Sequence, residues 1–266
     1  MIEPLRLISQ PDLLGRLRAI KEEGFAYLPG MLDEAQVSTV RRRINALNPI
    51  EASFDKYLTE AANGRKEISI NNVFNRDKYF LQFLDYPGVI DLAEALHGKD
   101  CHIIGMTAWV TGPGRPEQLL HVDWQPLSLP EDVMTDSRVQ VPVYITTVHY
   151  YLNDLTEELG PTRIVPGSHR AGRPPNGEAS WNGVKEQSIL CSAGDAFVFR
   201  SEIWHRGSAN TSTGTRYLLQ VHYAQRMISQ KFPPYLNRFK FNPAILAKAS
   251  PRQLRLLGDH CRSNYD

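Results

Sequence analysis

Residues 119–126 read LLHVDWQP, with His121 and Asp123 one residue apart. Alternate residues of an extended segment point to the same side, so this imidazole and this carboxylate can reach one metal ion. A non-haem Fe(II) oxygenase centre needs two imidazoles and one carboxylate on one face of the metal, with the opposite positions open. A second histidine is therefore required, and the remaining ones are His97, His102, His149, His169, His205, His222 and His260. His205 stands out. The segment GDAFVFRSEIWHRGSANTSTGTRYLLQVHY reads as a strand, a polar turn and a second strand. A hairpin of that shape can hold His205 and the guanidinium of Arg216 on one side of a cavity. Asn210 and Ser212 are expected to fix its turn through local side-chain to backbone hydrogen bonds.

The hydrophobic pattern supplies the elements that must carry these residues. From about residue 101, short β-branched or aromatic runs (HIIGMTAWV, VYITTVHYYL, TRIVPG, AFVFR, RYLLQVHY) alternate with Gly, Pro, Asn and Asp clusters, the rhythm of an antiparallel sandwich or barrel. Helices precede it. Leu13, Leu14, Leu17 and Ile20 share one helical face, and Phe25 and Tyr27 alternate in a short strand that ends at a Pro-Gly turn. Asp33 and Gln36 form a capping box for a second helix with Val37, Val40, Ile44 and Leu47 as its buried stripe and Arg41, Arg42 and Arg43 on a solvated face. Residues 77–97 read as further helix interrupted at Pro87, and Ser250, Pro251 and Gln253 start a last one. The connections 125–142 and 170–188 are long enough to act as lids or binding loops. Trp124, Arg138, Arg173 and Trp181, which follow the His-Asp pair or lie in these loops, are the expected substrate contacts, with the region around Asn71 and Asn72 as the fallback.

Composition narrows the class. The chain has 266 residues, 30 basic against 29 acidic, for a net charge of +1, so it lacks the electrostatic footprint of a nucleic-acid or anionic-membrane partner. No window approaches the roughly 20 apolar residues of a membrane span, and the N-terminal stretch is broken by Pro and charges before any signal-like run. Cys101, Cys191 and Cys261 lack metal-ligand spacing and suit a reducing compartment. A cytoplasmic protein acting on a small molecule is expected.

Together these segments resemble the phytanoyl-CoA dioxygenase family of Fe(II)/2-oxoglutarate oxygenases, from GFAYLPGMLDEAQVSTVRRRI to SPRQLRLLG. NDLTEELGPTRIVPGSHR and the GDAFVFR segment carry the most specific part of the likeness. The resemblance implies a mainly β fold with flanking α, a double-stranded β-helix (jelly roll) with N-terminal helices packed on it. The implied layout is a single domain over 1–266: a helical support region (1–100), a jelly-roll core (101–230) and a C-terminal extension (231–266). It makes His121, Asp123 and His205 the iron ligands and Arg216 the partner of the distal carboxylate of 2-oxoglutarate. It places Gln118 near that cosubstrate and His149 on its pocket, and gives His169 a structural role. Some members carry a serine two residues after the distal histidine; here that position is Gly207, with Ser208 next to it as a possible substitute. The activity implied is oxidation of a small organic metabolite using O2, with hydroxylation expected and succinate and CO2 released. Halogenation does not fit, because Asp123 fills the position that halogenating relatives leave for halide. Two rival readings are a jelly-roll metal enzyme that does not use 2-oxoglutarate and a non-catalytic binding protein on the same fold.

Overall fold

The computed structural model describes residues 2–47, 66–232 and 239–261. The strands are β1 (Glu3–Pro4), β2 (Phe25–Leu28), β3 (Glu67–Asn71), β4 (His102–Thr111), β5 (Ile145–Tyr151) and β6 (Thr162–Ile164). They continue as β7 (Ser180–Trp181), β8 (Val184–Lys185), β9 (Gln187–Ser188), β10 (Ala196–Arg200), β11 (His205–Gly207) and β12 (Arg216–Ala224). A six-stranded sheet runs β2-β10-β5-β12-β4-β3, a four-stranded sheet runs β1-β9-β6-β11, and β7-β8 form a separate ribbon. The two large sheets enclose one apolar layer to which each contributes: Ile164 and Ile189 from the smaller side, Tyr151, Phe197, Phe199 and Leu218 from the larger. This is the double-stranded β-helix, with β2 and β3 drawn into the large sheet from the region before residue 101.

The period-2 alternation of a strand sorts the large sheet into two faces. On β12, Tyr217, Leu219, Val221 and Tyr223 join the cluster that also holds Ile20, Val37, Val40 and Ile44 from the N-terminal helices. The intervening Arg216, Leu218, Gln220 and His222 face a cavity between the sheets. Burial of each apolar side chain on the helical face contributes roughly 1.5–3 kcal/mol, which fixes the register, because a slip of one residue would exchange the faces.

The second and the last helix start where the capping pattern places them, and the first gains a cap that its apolar pattern did not announce. The Asp12 carboxylate accepts from Gly15 N at 2.7 Å and opens helix Leu13–Glu22. Asp33 and Gln36 cap reciprocally at 2.9 and 2.7 Å ahead of Glu34–Leu47, and Ser250 with Gln253 forms the box before Pro251–Leu256. The first helix buries a narrower face than its pattern suggests, since Leu14 is 73% exposed and packing runs through Leu17 and Ile20 in its later turns. Residues 77–97 divide into a 3-10 segment Lys78–Phe83 and an α-helix Val89–His97; Pro87 and the left-handed Gly88 (φ 79°) separate them. Within the expected support region and C-terminal extension, residues 48–65, 233–238 and 262–266 lie outside the described residues.

The expected hairpin between His205 and Arg216 does not form. β11 pairs with β6 in the small sheet, whereas β12 pairs with β4 and β5 in the large one. Residues 208–215 therefore cross between sheets. Asn210, fully buried, pins the crossing: its amide donates to Thr111 O (3.2 Å) and Gly214 O (2.9 Å) and its oxygen accepts from Ser212 N (3.1 Å). His205 and Arg216 still meet one cavity, because the two strands face each other instead of lying side by side.

Candidate active site

His121 sits on an isolated antiparallel bridge to His205, with N–H···O bonds of 2.9 Å in both directions, which extends the small sheet by one residue beyond β11. Asp123 follows on a bend held by its N–H to Ser201 O at 3.0 Å. The pair thus stands on a single bridge and a bend in place of a full strand end. One donor atom from each of His121, Asp123 and His205 lies within 4.8 Å of the others.

Tautomers follow from the partners. His121 Nδ1 lies 2.8 Å from Leu119 O and His205 Nδ1 lies 3.0 Å from Ile203 O. A carbonyl only accepts, so each Nδ1 carries the proton and each Nε2 lone pair is left for a metal. His205 Nε2 is 3.6 Å from Asp123 Oδ1. The other carboxylate oxygen accepts from Thr147 Oγ1 at 3.2 Å, and that hydroxyl lies 2.9 Å from His222 Nδ1. Burial alone would raise the Asp123 carboxyl, but the imidazoles of His205, His222 and His121 overcome it and hold it well below the usual carboxylate range. Burial opposes charge on His205, and the Asp123 carboxylate reverses this to raise it; burial and the neighbouring His205 lower His121. Two imidazoles and a carboxylate with free lone pairs and fixed tautomers fit a non-haem Fe(II) centre.

The cavity that contains this cluster has a volume of about 170 Å³, and inward residues of the large sheet make up much of its remaining wall. Trp109 Nε1 donates to Gln220 Oε1 at 2.8 Å, so the Gln220 amide nitrogen, 3.1 Å from His149 Nε2, must donate to it. His149 is thereby held neutral, and burial keeps its pKa well below the ordinary value. Arg216 is 4% exposed. It donates to Gly160 O and, at 3.3 Å, to Thr111 Oγ1, while its Nε is buried without a partner. Gly160 carries a φ of +76°, and a Cβ there would come within 2.8 Å of Ser208 O, so this acceptor is set by a turn that only glycine fits.

Other expected positions fall differently. Gln118 lines the cavity, but its Oε1 is engaged by Gly207 N at 2.8 Å. Ser208 is turned away and donates to Pro161 O at 2.7 Å, so the structure corrects its expected place beside the cosubstrate. Trp124 packs edge-on to His222 with Lys231 Nζ 4.1 Å above its ring, beside the cavity. Arg138 is paired with Asp136 at the surface, Arg173 with Glu178, and Trp181 with Glu131 at 3.1 Å. None of these three is among the residues lining the cavity. The two long connections clasp each other, because a Cβ on Gly172 would lie 2.1 Å from Leu129 O. His169 is buried on Lys21 O at 3.3 Å, apart from the His-Asp-His cluster. Thr147, Gln220, Glu67 and Arg115 are at or beside the cavity without any expectation from the sequence, and His222, one of the candidate histidines, lines it outside the His-Asp-His cluster. Strand alternation counted from Arg216 would have brought out Gln220 and His222.

The family model described as Phytanoyl-CoA dioxygenase (PhyH) matches residues 20–218. The chain belongs to the phytanoyl-CoA dioxygenase family. It is 25% identical to the uncharacterized protein Rv1501 of Mycobacterium tuberculosis over 97% of this chain and 91% of that protein. It is also 25% identical to the Fe(II)/2-oxoglutarate-dependent dioxygenase nvfF of Aspergillus novofumigatus, over 94% of this chain and 82% of that one. Among solved structures, HygX from Streptomyces hygroscopicus with nickel, 2-oxoglutarate and hygromycin B bound superposes with a TM-score of 0.62 at 15% identity, covering 81% of this chain and 88% of that chain. That likeness is one of fold. Among the described residues no helix is long and apolar enough to cross a membrane.

Proposed function

We propose that this phytanoyl-CoA dioxygenase family member couples oxidative decarboxylation of 2-oxoglutarate to oxidation, with hydroxylation as the outcome, of a small organic substrate. It is an Fe(II)- and 2-oxoglutarate-dependent dioxygenase using O2, as its family membership and the relative named for that activity support. The observation that carries the site assignment is the joining, in one cavity, of the His121, Asp123 and His205 donors with a buried Arg216 whose Nε has no partner. A jelly-roll metal enzyme working without 2-oxoglutarate would have no use for that guanidinium.

Bound iron supplies the one-electron and oxygen chemistry. The chain holds and orients. Leu119 O and Ile203 O fix the two imidazole rings, and Thr147 Oγ1 fixes the Asp123 carboxylate. Arg216, a rigid planar donor, takes the distal carboxylate of 2-oxoglutarate, and neutral His149, held by Gln220, lines the cosubstrate's path. Substrate occupies the adjoining cavity of about 580 Å³, which shares Lys231 with the metal cavity and is walled by Asn71, Asn72, Arg76 and Thr107. The test is anaerobic titration with Fe(II) and 2-oxoglutarate, followed by a substrate panel scored for oxygen-dependent succinate. Oxygen-dependent oxidation of a panel substrate without any 2-oxoglutarate requirement, and so without succinate, would refute the reading.

A further inference from the structure

The polar side chains around the cavity of about 580 Å³ beside the metal site differ in what they have left to offer a ligand. Asn75 is spent. Its amide nitrogen donates to Lys240 O at 2.8 Å and its oxygen accepts from Asn242 N at 2.7 Å, which fastens the segment next to Phe239, the apolar wall of the cavity. Asn71 Oδ1 accepts from Thr107 Oγ1 at 3.0 Å, so the amide N–H groups of Asn71 remain to donate. Asn72 stands in the left-handed region at φ 53° with its N–H on Met106 O at 2.6 Å, and the 3-10 turn Val73–Asn75 that follows brings Arg76 to the same wall. A guanidinium has donors and no acceptor.

Lys231 is the one described residue that lines both this cavity and the metal cavity. Its backbone N–H donates to Ile104 O at 2.9 Å. Its stem passes within van der Waals reach of β4 at Gly105, where a Cβ would lie 3.6 Å from Lys231 Cδ. Its ammonium rests over the Trp124 ring, 4.1 Å from the centroid. Trp124 in turn meets His222 edge-on, and His222 shares the Thr147 hydroxyl with Asp123. The lysine is thus seated by a ring that is itself tied to the metal-binding end. A ring face attracts an ammonium from one side and leaves N–H directions open, and among the described residues no oxygen accepts a hydrogen bond from Nζ. The groups left to a ligand by Asn71, Arg76 and Lys231 are all donors, two of them cationic. Such donors favour an acceptor that carries negative charge, because charge-assisted hydrogen bonds are the stronger ones.

Resting on the 2-oxoglutarate reading above, we propose that the substrate is a small organic anion, an apolar body bearing a carboxylate, sulfate or phosphate group, and that Lys231 selects it. The ammonium holds the anionic group at the junction of the two cavities, Asn71 and Arg76 add donors from the opposite element, and Phe239 packs the apolar body.

The experiment uses protein loaded with Mn(II) and saturated with 2-oxoglutarate, so that probe acids do not report on the cosubstrate site. Hexanoate, hexyl sulfate and hexyl phosphate are titrated calorimetrically, with hexanamide as the neutral counterpart. At least one anion should bind about tenfold or more tighter than hexanamide, and the tightest of the three identifies the group. K231M should remove most of that preference and leave hexanamide within about twofold, whereas K231R should keep most of it. K231Q serves if K231M does not fold. A wild type in which no anion is preferred to hexanamide, or a preference retained within about threefold in the Met or Gln variant, overturns the proposal, while binding of 2-oxoglutarate in the same protein leaves the cosubstrate reading standing. Failure of the Mn(II)-loaded wild type to bind 2-oxoglutarate takes both down.

Discussion

Removal of Arg216 is the sharpest perturbation of the proposed cosubstrate site. The side chain is 4% exposed, and the described residues around it offer the neutral oxygens of Gly160 and Thr111 as acceptors. Arg216→Ala leaves the distal carboxylate of 2-oxoglutarate facing this buried surface without that partner, and breaking a buried pair from one side costs about 3–5 kcal/mol. At 1.4 kcal/mol per decade this is a rise in Kd of roughly two to three and a half decades. A second, separable effect falls on the fold: the acceptors vacated on Gly160 and Thr111 cost about 1–3 kcal/mol of stability if water does not replace the arginine. Arg216→Lys restores charge without the fork and should recover only part of the affinity. Calorimetric titration of Mn(II)-loaded protein with 2-oxoglutarate reads the first effect and urea unfolding the second. Mn(II) affinity should stay unchanged, because Arg216 is not among the residues grouped as metal donors. A Kd for 2-oxoglutarate that Arg216→Ala leaves unchanged would remove this residue from the cosubstrate site, whatever happened to stability.

His121→Ala, Asp123→Ala and His205→Ala should each weaken Mn(II) binding by more than the roughly 10–100-fold typical of outer partners while circular dichroism stays native; His169→Ala should leave metal binding intact, and the reverse pattern would refute the assignment. Thr147→Val removes the hydroxyl 3.2 Å from Asp123 Oδ2 and should cost roughly 10–100-fold in metal affinity, read by the same titration. Trp181→Ala breaks the clasp to Glu131 and should destabilise by about 1–3 kcal/mol and speed proteolysis of residues 125–142 and 170–188, with Mn(II) and 2-oxoglutarate affinities unchanged. Leu219→Ala, on the buried helical face of β12, should cost about 2–5 kcal/mol in urea unfolding and leave Mn(II) affinity intact.

What was legible in the sequence was whatever short-range pattern determines. The caps at Asp33 and Ser250 are local hydrogen bonds within a few residues, and the alternation in RYLLQVHY is a property of one strand. The His121–Asp123 pair is local in the same sense. Sheet membership is not local: β11 and β12 are neighbours in the chain, yet they pair with β6 and β5 at long range. The expected hairpin failed for that reason, although the convergence it was meant to explain is present. The buried Arg115–Glu67 pair was hidden likewise, since its partners come from the loop after β4 and from β3 on the sheet's edge. A charged residue in a loop reads as solvated until the fold closes over it.

The long connections make the same point about specificity. Their length suggested lids, but length alone does not say what a loop packs on. Trp181, Trp204, Val165 and Ala171 form a small apolar cluster with Leu120 and Val122, so the second loop is fastened to the outer side of the segment that carries His121 and Asp123. Its aromatic residue is used to hold that segment in place. The polar groups available to a substrate lie elsewhere, on β3, the turn after it and Lys231. These sit across the large sheet on the same face as Gln220 and His222, since Thr107 is the register partner of Gln220 and Asn71 that of Thr107. A ligand bound there would rest on the same rigid surface as the side chains that line the metal cavity. Positioning by a sheet is more exact than positioning by a loop, which favours this face as the place where substrate choice is made.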